Sequence, residues 1–164
     1  MAIKKRHRVA NYIKINGKYE VMGVGFEGLN ETFSPIITST RYICDKSKSQ
    51  SISGYEWSSD FEAKQIINNK VVDYILDIAK YLKVGADAES EYLIIDLDKE
   101  AKDGGYNARK INVAIAVDSF SDTDGEMGFS GSLKGIGDME EGTATIDDTT
   151  REVTYAKGFE AKTV

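Results

Sequence analysis

The sequence holds one cysteine, one histidine and one proline in 164 residues. Cys44 has no second thiol within the chain, so no internal disulfide staples the fold; a reducing compartment, or an assembly needing no disulfides, is expected. With His7 the sole imidazole, His-rich zinc sites and His-dependent nucleophile triads are excluded. Any catalysis would fall to carboxylates, Lys or Tyr. Because Pro35 stands alone against 15 glycines, turns must be built from Gly, Asn and Asp, the habit of a β-rich domain. No apolar run approaches the about 18 residues a membrane span requires. The basic N-terminus also lacks the apolar stretch of a secretory signal, so neither a span nor a cleaved leader is expected.

What is present fits a single folded domain over 1–164. An 18.1 kDa chain with 41% apolar and 29% charged residues can bury a real core. Charge is unevenly spread. Four of the 21 basic residues (Lys4, Lys5, Arg6, Arg8) fall in residues 1–8 with no acid among them, leaving 17 against all 27 acids in the remainder. A basic arm on an acidic body can grip an acidic neighbour or a nucleic acid; a solvated terminus has the same composition. The acidic body argues against a conventional nucleic-acid binder, which needs a basic face.

Alternating apolar runs predict strands at Val9–Ile15 and Lys18–Phe26, joined by Asn16-Gly17, a strong hairpin signal. An irregular stretch, 27–34, separates them from two longer runs, Ile36–Asp45 and Gln50–Glu62, linked by the polar Lys46-Ser47-Lys48-Ser49. Val71, Val72, Ile75, Leu76, Ile78, Ala79 and Leu82 recur at helical spacing, which predicts one helix over 68–84, capped by Asn68 or Asn69, ended by Gly85 and covering an open sheet face. Tyr92–Leu97 is a continuous apolar run suited to a buried strand. Lys110–Val117 alternates, with Ile111, Val113, Ile115 and Val117 on one face and the small or polar Asn112, Ala114, Ala116 and Asp118 on the other. Met127–Ile136, Gly142–Ile146 and Arg151–Ala156 complete a mainly β domain.

Chemical motifs are few. Gly23-Val24-Gly25-Phe26-Glu27-Gly28 has the letters of a dinucleotide fingerprint, yet the residues up to Pro35 have no helical face to receive a pyrophosphate. Asp118, Asp122, Asp124 and Glu126 form an oxygen-rich loop of the sort that holds calcium, but without EF-hand spacing, and Asp124-Gly125 is an ordinary hairpin turn. Twenty-seven acids guarantee some hydrolase-like pair by chance, so an enzyme is not indicated. Read as one strand, Ser53–Glu62 sets Tyr55, Trp57 and Phe61 against Glu56, Ser58, Asp60 and Glu62. The aromatic side suits a core, a subunit anchor or a sugar-stacking platform. The acidic row suits a pore that repels DNA phosphates.

These segments, in this order, resemble the major tail tube proteins of tailed bacteriophages. Thr40–Lys46 with the subsequent SGYEWSSDFEAKQI is similar to the family's central hairpin; NNKVVDYILDIAKYL and VGADAESEYLIIDL to its helix and the segment after that helix; GSLKGIGDMEEGTATIDDTTREVTYAKG to its closing hairpin. The resemblance covers about residues 8–160 and contains no catalytic motif. It implies an antiparallel β-sandwich or barrel flanked by the helix, a fold shared with the type VI secretion tube protein, with a long hairpin and the N-terminal arm bridging successive rings. Homohexameric rings would stack into a virion tail tube, assembled in the bacterial cytoplasm, that conducts DNA without specific binding. Its partners would be further copies, a tape-measure protein, a tail terminator and distal tail or baseplate proteins, with no cofactor, metal or membrane. Glu56, Asp60 and Glu62 would face the lumen, while Lys4, Lys5, Arg6, Arg8, Lys46, Lys48, Tyr55 and Trp57 would meet neighbouring subunits. A tail without a sheath and without an added immunoglobulin-like domain is the expected form. A β-sandwich module for carbohydrate or a cell surface is the alternative.

Overall fold

A computed structural model describes residues 1–163; Val164 lies outside the described residues. Ten strands and one α-helix occur among the described residues: β1 (Val9–Ile15), β2 (Lys18–Val21), β3 (Phe26–Thr32), β4 (Pro35–Thr40), β5 (Ser49–Tyr55), β6 (Ser58–Lys64), α1 (Lys70–Lys80), β7 (Glu89–Glu100), β8 (Tyr106–Thr123), β9 (Glu126–Ile146) and β10 (Val153–Lys157). One sheet runs β2-β1-β7-β8-β9-β6-β3, with β10 also on β9; β4 and β5 form a separate ribbon. The pairing is antiparallel throughout, so the mainly β expectation holds.

The turn chemistry explains the tight hairpins. Asn16 and Gly17 both take positive φ, 50° and 83°, between paired Ile15 and Lys18, and Asp124 and Gly125 repeat this at 53° and 82° between Thr123 and Glu126. Asn, Asp and Gly tolerate that region at low cost. Other boundaries differ from the sequence reading. The run 18–26 breaks after Val21, because Gly25 turns at φ 89° and its carbonyl accepts from Lys64 N–H at 2.8 Å. The supposedly irregular 27–34 is strand β3. The two segments 127–136 and 142–146 are one strand, β9, which crosses a register shift opposite Lys110–Asn112 instead of ending.

Helix α1 is shorter than 68–84. Asn69 Oδ1 accepts from Val71 and Val72 N–H at 3.1 and 3.2 Å, capping the start. The chain leaves at Tyr81, ahead of Gly85: Leu82 adopts φ 50°, Lys83 N–H reaches Ile78 O at 3.0 Å and Leu82 N–H reaches Ala79 O at 3.3 Å. That is a Schellman closure with leucine where glycine is usual, so Leu82, read as part of the apolar face, ends up exposed. Val71, Val72, Ile75, Leu76 and Ile78 are buried, each contributing about 1.5–3 kcal/mol of burial.

Two cores occupy opposite faces of the sheet, and β7 feeds both. Tyr92 and Ile94 join Phe61, Val113, Phe129, Leu133 and the helix in the larger core. Leu93 and Ile95 join Ala108, Ala144 and Val153 in the smaller. This is the physical reason the run Tyr92–Leu97 is apolar without alternation. Around the smaller core the sheet curls until β10 packs beside β2, where Lys18 Nζ meets Glu152 Oε1 at 3.1 Å. Beyond Asn112 the same face of β8 turns outward to solvent.

Candidate functional site

The second half of β8, the first half of β9, β6 and β3 make a four-stranded sheet with an apolar and a polar face. Phe61, Ala63, Phe129 and Leu133 point into the larger core. On the other side, register aligns Asn30, Asp60, Ser132 and Ala116 in one row and Gly28, Glu62 and Ser130 in the next, where the bulged Asp118 and Ser119 sit beside them. Apart from the acids, these side chains are small. Gly131 shows how tightly the strands pack: a Cβ there would lie 2.2 Å from Ala116 O. Asp60, Glu62 and Asp118 are exposed on this face. Lys134, opposite Ser58, and Lys64, opposite Gly128, mark its two ends.

Glu56 does not extend the row of Asp60 and Glu62. The strand expected over 50–62 breaks at Glu56-Trp57, because β5 belongs to the ribbon and β6 to the sheet. Glu56 donates its N–H to Ser34 O at 3.1 Å and lies exposed at the ribbon's root. There it borders a groove of about 730 Å³ shared with Phe33, Tyr55, Trp57, Arg109 and Met139. The three aromatics of the expected stripe are likewise separated: Trp57 and Phe61 are 9% and 3% exposed and sit in the core, whereas Tyr55 is 61% exposed on the ribbon. They form no stacking platform for a sugar.

Trp57 is fixed by a node that sequence reading missed. Its Nε1–H donates to Glu31 Oε1 at 3.1 Å, while Arg109 grips both Glu31 oxygens at 3.0 Å. A fork of this geometry is among the stronger polar contacts. Glu31 lay in the stretch read as irregular, so no pattern marked it.

The ribbon itself is bare. Every residue of β4 is exposed, and of β5 only Gly54 is partly covered. Ile37 pairs with Ile52, each more than half exposed, and Ile36 lies 44% exposed beside them. Two strands without a covering layer are marginal in water, and exposed apolar side chains concentrated in this way mark a contact surface. The loop 41–48 at its end carries Lys46, Lys48 and Cys44.

The basic arm folds back on its own chain. Lys4 pairs with Asp96, Arg8 Nε with Asp98 Oδ1 at 2.8 Å, and Arg6 reaches Asn11 Oδ1 at 2.7 Å. Lys5 is exposed.

Inside the curled half, Glu91 Oε2 accepts from Lys14 Nζ at 3.0 Å and from Tyr19 Oη–H at 3.1 Å, with Lys110 at 3.8 Å from its other oxygen. Burial opposes its charge, but these donors and the two lysine charges outweigh burial and hold its carboxyl below the usual range. Burial also pushes the Tyr19 phenol up, reinforced by the Glu91 charge. Asp96, beside Lys4, Glu100, bonded by Lys162, and Asp147, bonded by Thr150 and Thr149 N–H, are lowered as well. A general acid needs the opposite displacement. Among the described residues no group of three or more His, Cys, Asp or Glu is placed to hold a metal, and no helix is long and apolar enough to cross a membrane.

No family model matches the chain, and no curated protein matches it in sequence. Solved structures do match in fold. A chain of the native gene transfer agent virion superposes with a TM-score of 0.60 at 10% identity, covering 85% of this chain and 98% of that one. A chain of the empty gene transfer agent particle's tail, refined with C6 symmetry, gives 0.59 at 11% identity, covering 84% and 97%. A chain of the anti-feeding prophage baseplate, 6-fold symmetrised, gives 0.53 at 8% identity, covering 86% and 96%. What is shared at such identities is the fold, and at that level the resemblance to tail tube proteins is borne out.

Proposed function

We propose that the chain is a structural, non-enzymatic subunit of a phage-like tail tube, closing with copies of itself into rings of six that stack around a DNA-conducting lumen. The observation that carries this reading is the polar face of the β3-β6-β9-β8 sheet. It is smooth because its side chains are small, and Asp60, Glu62 and Asp118 would repel the phosphates of a passing duplex, so that DNA slides without binding. Glu56, off that row at the ribbon root, would add a separate acid beside the lumen.

Ring closure also accounts for open edges. β3 has a sheet neighbour on one side only, and β8 beyond Ala114 pairs only with β9. Pairing the first edge of one copy with the second edge of the next would remove both liabilities. Two of the matching particles carry sixfold symmetry, which supports six copies per ring. Tyr55, Lys46 and Lys48 on the ribbon, with Lys5 of the arm, would meet neighbouring subunits. Lys4, Arg6 and Arg8 would order the arm on its own body, and Trp57 would brace the ribbon root. The setting is a virion tail, assembled in the bacterial cytoplasm, with a tape-measure protein, a terminator and baseplate proteins as partners.

The test is a gel-shift and ejection assay on assembled tubes. Wild-type tubes should leave duplex DNA unshifted, and the E56K/D60K/E62K variant should retain DNA and slow ejection. Equal behaviour of both tubes would remove these residues from the lumen.

A further inference from the structure

The ribbon loop and the β8–β9 turn, which leave the four-stranded sheet at its two ends, carry opposite charge. Strands β3, β6, β8 and β9 run along one axis, and at the end marked by Thr32, Ser58 and Lys134 the chain leaves as the β4–β5 ribbon. The loop at the ribbon's far end, residues 41–48, carries Arg41, Lys46 and Lys48 against the single acid Asp45. At the opposite end the β8–β9 hairpin overhangs the sheet and closes at Asp124-Gly125. Residues 118–127 hold Asp118, Asp122, Asp124 and Glu126 and no cation. Eight residues of extended strand separate Lys134 from Glu126, about 27 Å at the usual rise per residue. Within one copy Glu126 meets Lys64 of the body at 3.6 Å, while Asp122 and Asp124 have no ion-pair partner among the described residues.

The apolar surface follows the same division. Tyr42 is 68% exposed in the ribbon loop, while Phe120 and Met127 are 40% and 47% exposed on the overhanging hairpin. A basic loop with an exposed aromatic at one end, and an acidic turn with exposed apolar side chains at the other, make a heterologous pair. Such a pair propagates from copy to copy instead of closing as a two-fold dimer.

We infer that the partner of the ribbon loop is the acidic β8–β9 turn of a second copy of this chain, with Arg41, Lys46 and Lys48 seated against Asp122 and Asp124, and Glu126 shared with Lys64 of its own chain. This rests on the tube reading and fixes which surfaces meet between successive rings: the ribbon of one ring reaches the overhanging hairpin of the next. Asp118, at the base of that hairpin, stays with the lumen.

A charge swap tests it. K46E/K48E makes the loop net negative. D122N/D124N/E126K makes residues 119–127 net positive while keeping an amide oxygen at 122 for the bond that Asp122 Oδ1 accepts from Gly125 N–H, at 3.1 Å in the wild type, and a side chain suited to positive φ at 124. Each variant alone should shorten tubes at least tenfold in electron micrographs while single rings persist, and combining both sets in one chain should restore length. Undiminished tubes from either folded variant, or no restoration in the combined one, would overturn the inference.

A pairwise readout separates this from a failure of the tube reading. C44S/T123C protein is mixed with wild type, whose Cys44 lies in the ribbon loop, and oxidised. A 44–123 disulfide, found by peptide mass and absent when C44S/K83C replaces the first partner, supports the contact whether or not rings close. Equal cross-linking from positions 123 and 83 overturns it.

Discussion

Tyr55 and Trp57 stand two residues apart and belong to two kinds of structure. Trp57 is packed into the larger core and held by Glu31. Tyr55 ends a ribbon that packs nothing beneath its isoleucines. The body satisfies its apolar surface internally, so its folding is a property of one chain. The ribbon does not, and the same hydrophobic term that folds the body is left available there for association. One short joint, Glu56-Trp57, thus divides residues that the core holds from residues left to solvent.

That division can be broken or sharpened by substitution. Phe129→Ala should have the largest effect on the single chain. Phe129 is 1% exposed and its ring packs edge-on to Phe26 and Phe61 at 6.1 and 5.8 Å. A loss of about 3–5 kcal/mol in urea denaturation is expected for a buried aromatic truncated to Ala; a loss under about 1 kcal/mol would mean the body is not the cooperative unit described. Glu31→Gln comes next. It weakens the grip of Arg109 and removes the charge opposite Trp57 Nε1, for about 2 kcal/mol of thermal or urea stability, with blue- or red-shifted tryptophan emission as an independent readout.

A smaller effect belongs to Glu91 and depends on pH. Its folded carboxyl lies below the unfolded value of 4.5, so the native state binds fewer protons in that range. The stabilisation is present above the unfolded value and is lost as pH falls through the folded one. Asp96, Glu100 and Asp147 act in the same direction. Glu91→Gln should therefore flatten the acid limb of a stability–pH curve without abolishing it. A limb parallel to wild type would contradict the hydrogen-bonded arrangement with Lys14 and Tyr19.

The smallest effect on stability should come from the ribbon. Ile37→Ser with Ile52→Ser is expected to change the melting free energy of the monomer by under about 0.5 kcal/mol, as exposed substitutions do, and yet to abolish assembly in mass photometry. If it destabilised the monomer as much as Phe129→Ala, the contrast between body and ribbon would fail.

Much of the fold was legible because alternation and turn chemistry are local. Asn16-Gly17, the helix face from Val71 to Ile78, and the split of Lys110–Val117 into apolar and small faces all appear where periodicity places them. What was lost depended on partners distant in sequence. The break between Tyr55 and Ser58 follows from β5 pairing with β4 while β6 pairs with β3 and β9; alternation alone cannot show that a strand changes sheet. Leu82 kept the helical spacing although the chain had already left the helix. The bidentate pair of Arg109 and Glu31 joins residues 78 positions apart, beyond the reach of any local pattern.

The most direct measurement is negative-stain electron microscopy of the purified protein at high concentration, with mass photometry of the same sample. Six copies of the 18.1 kDa chain in rings with a stain-filled centre, stacked into tubes, is the predicted result. A monomer without a central hole at every concentration, on grids and in solution alike, would contradict it.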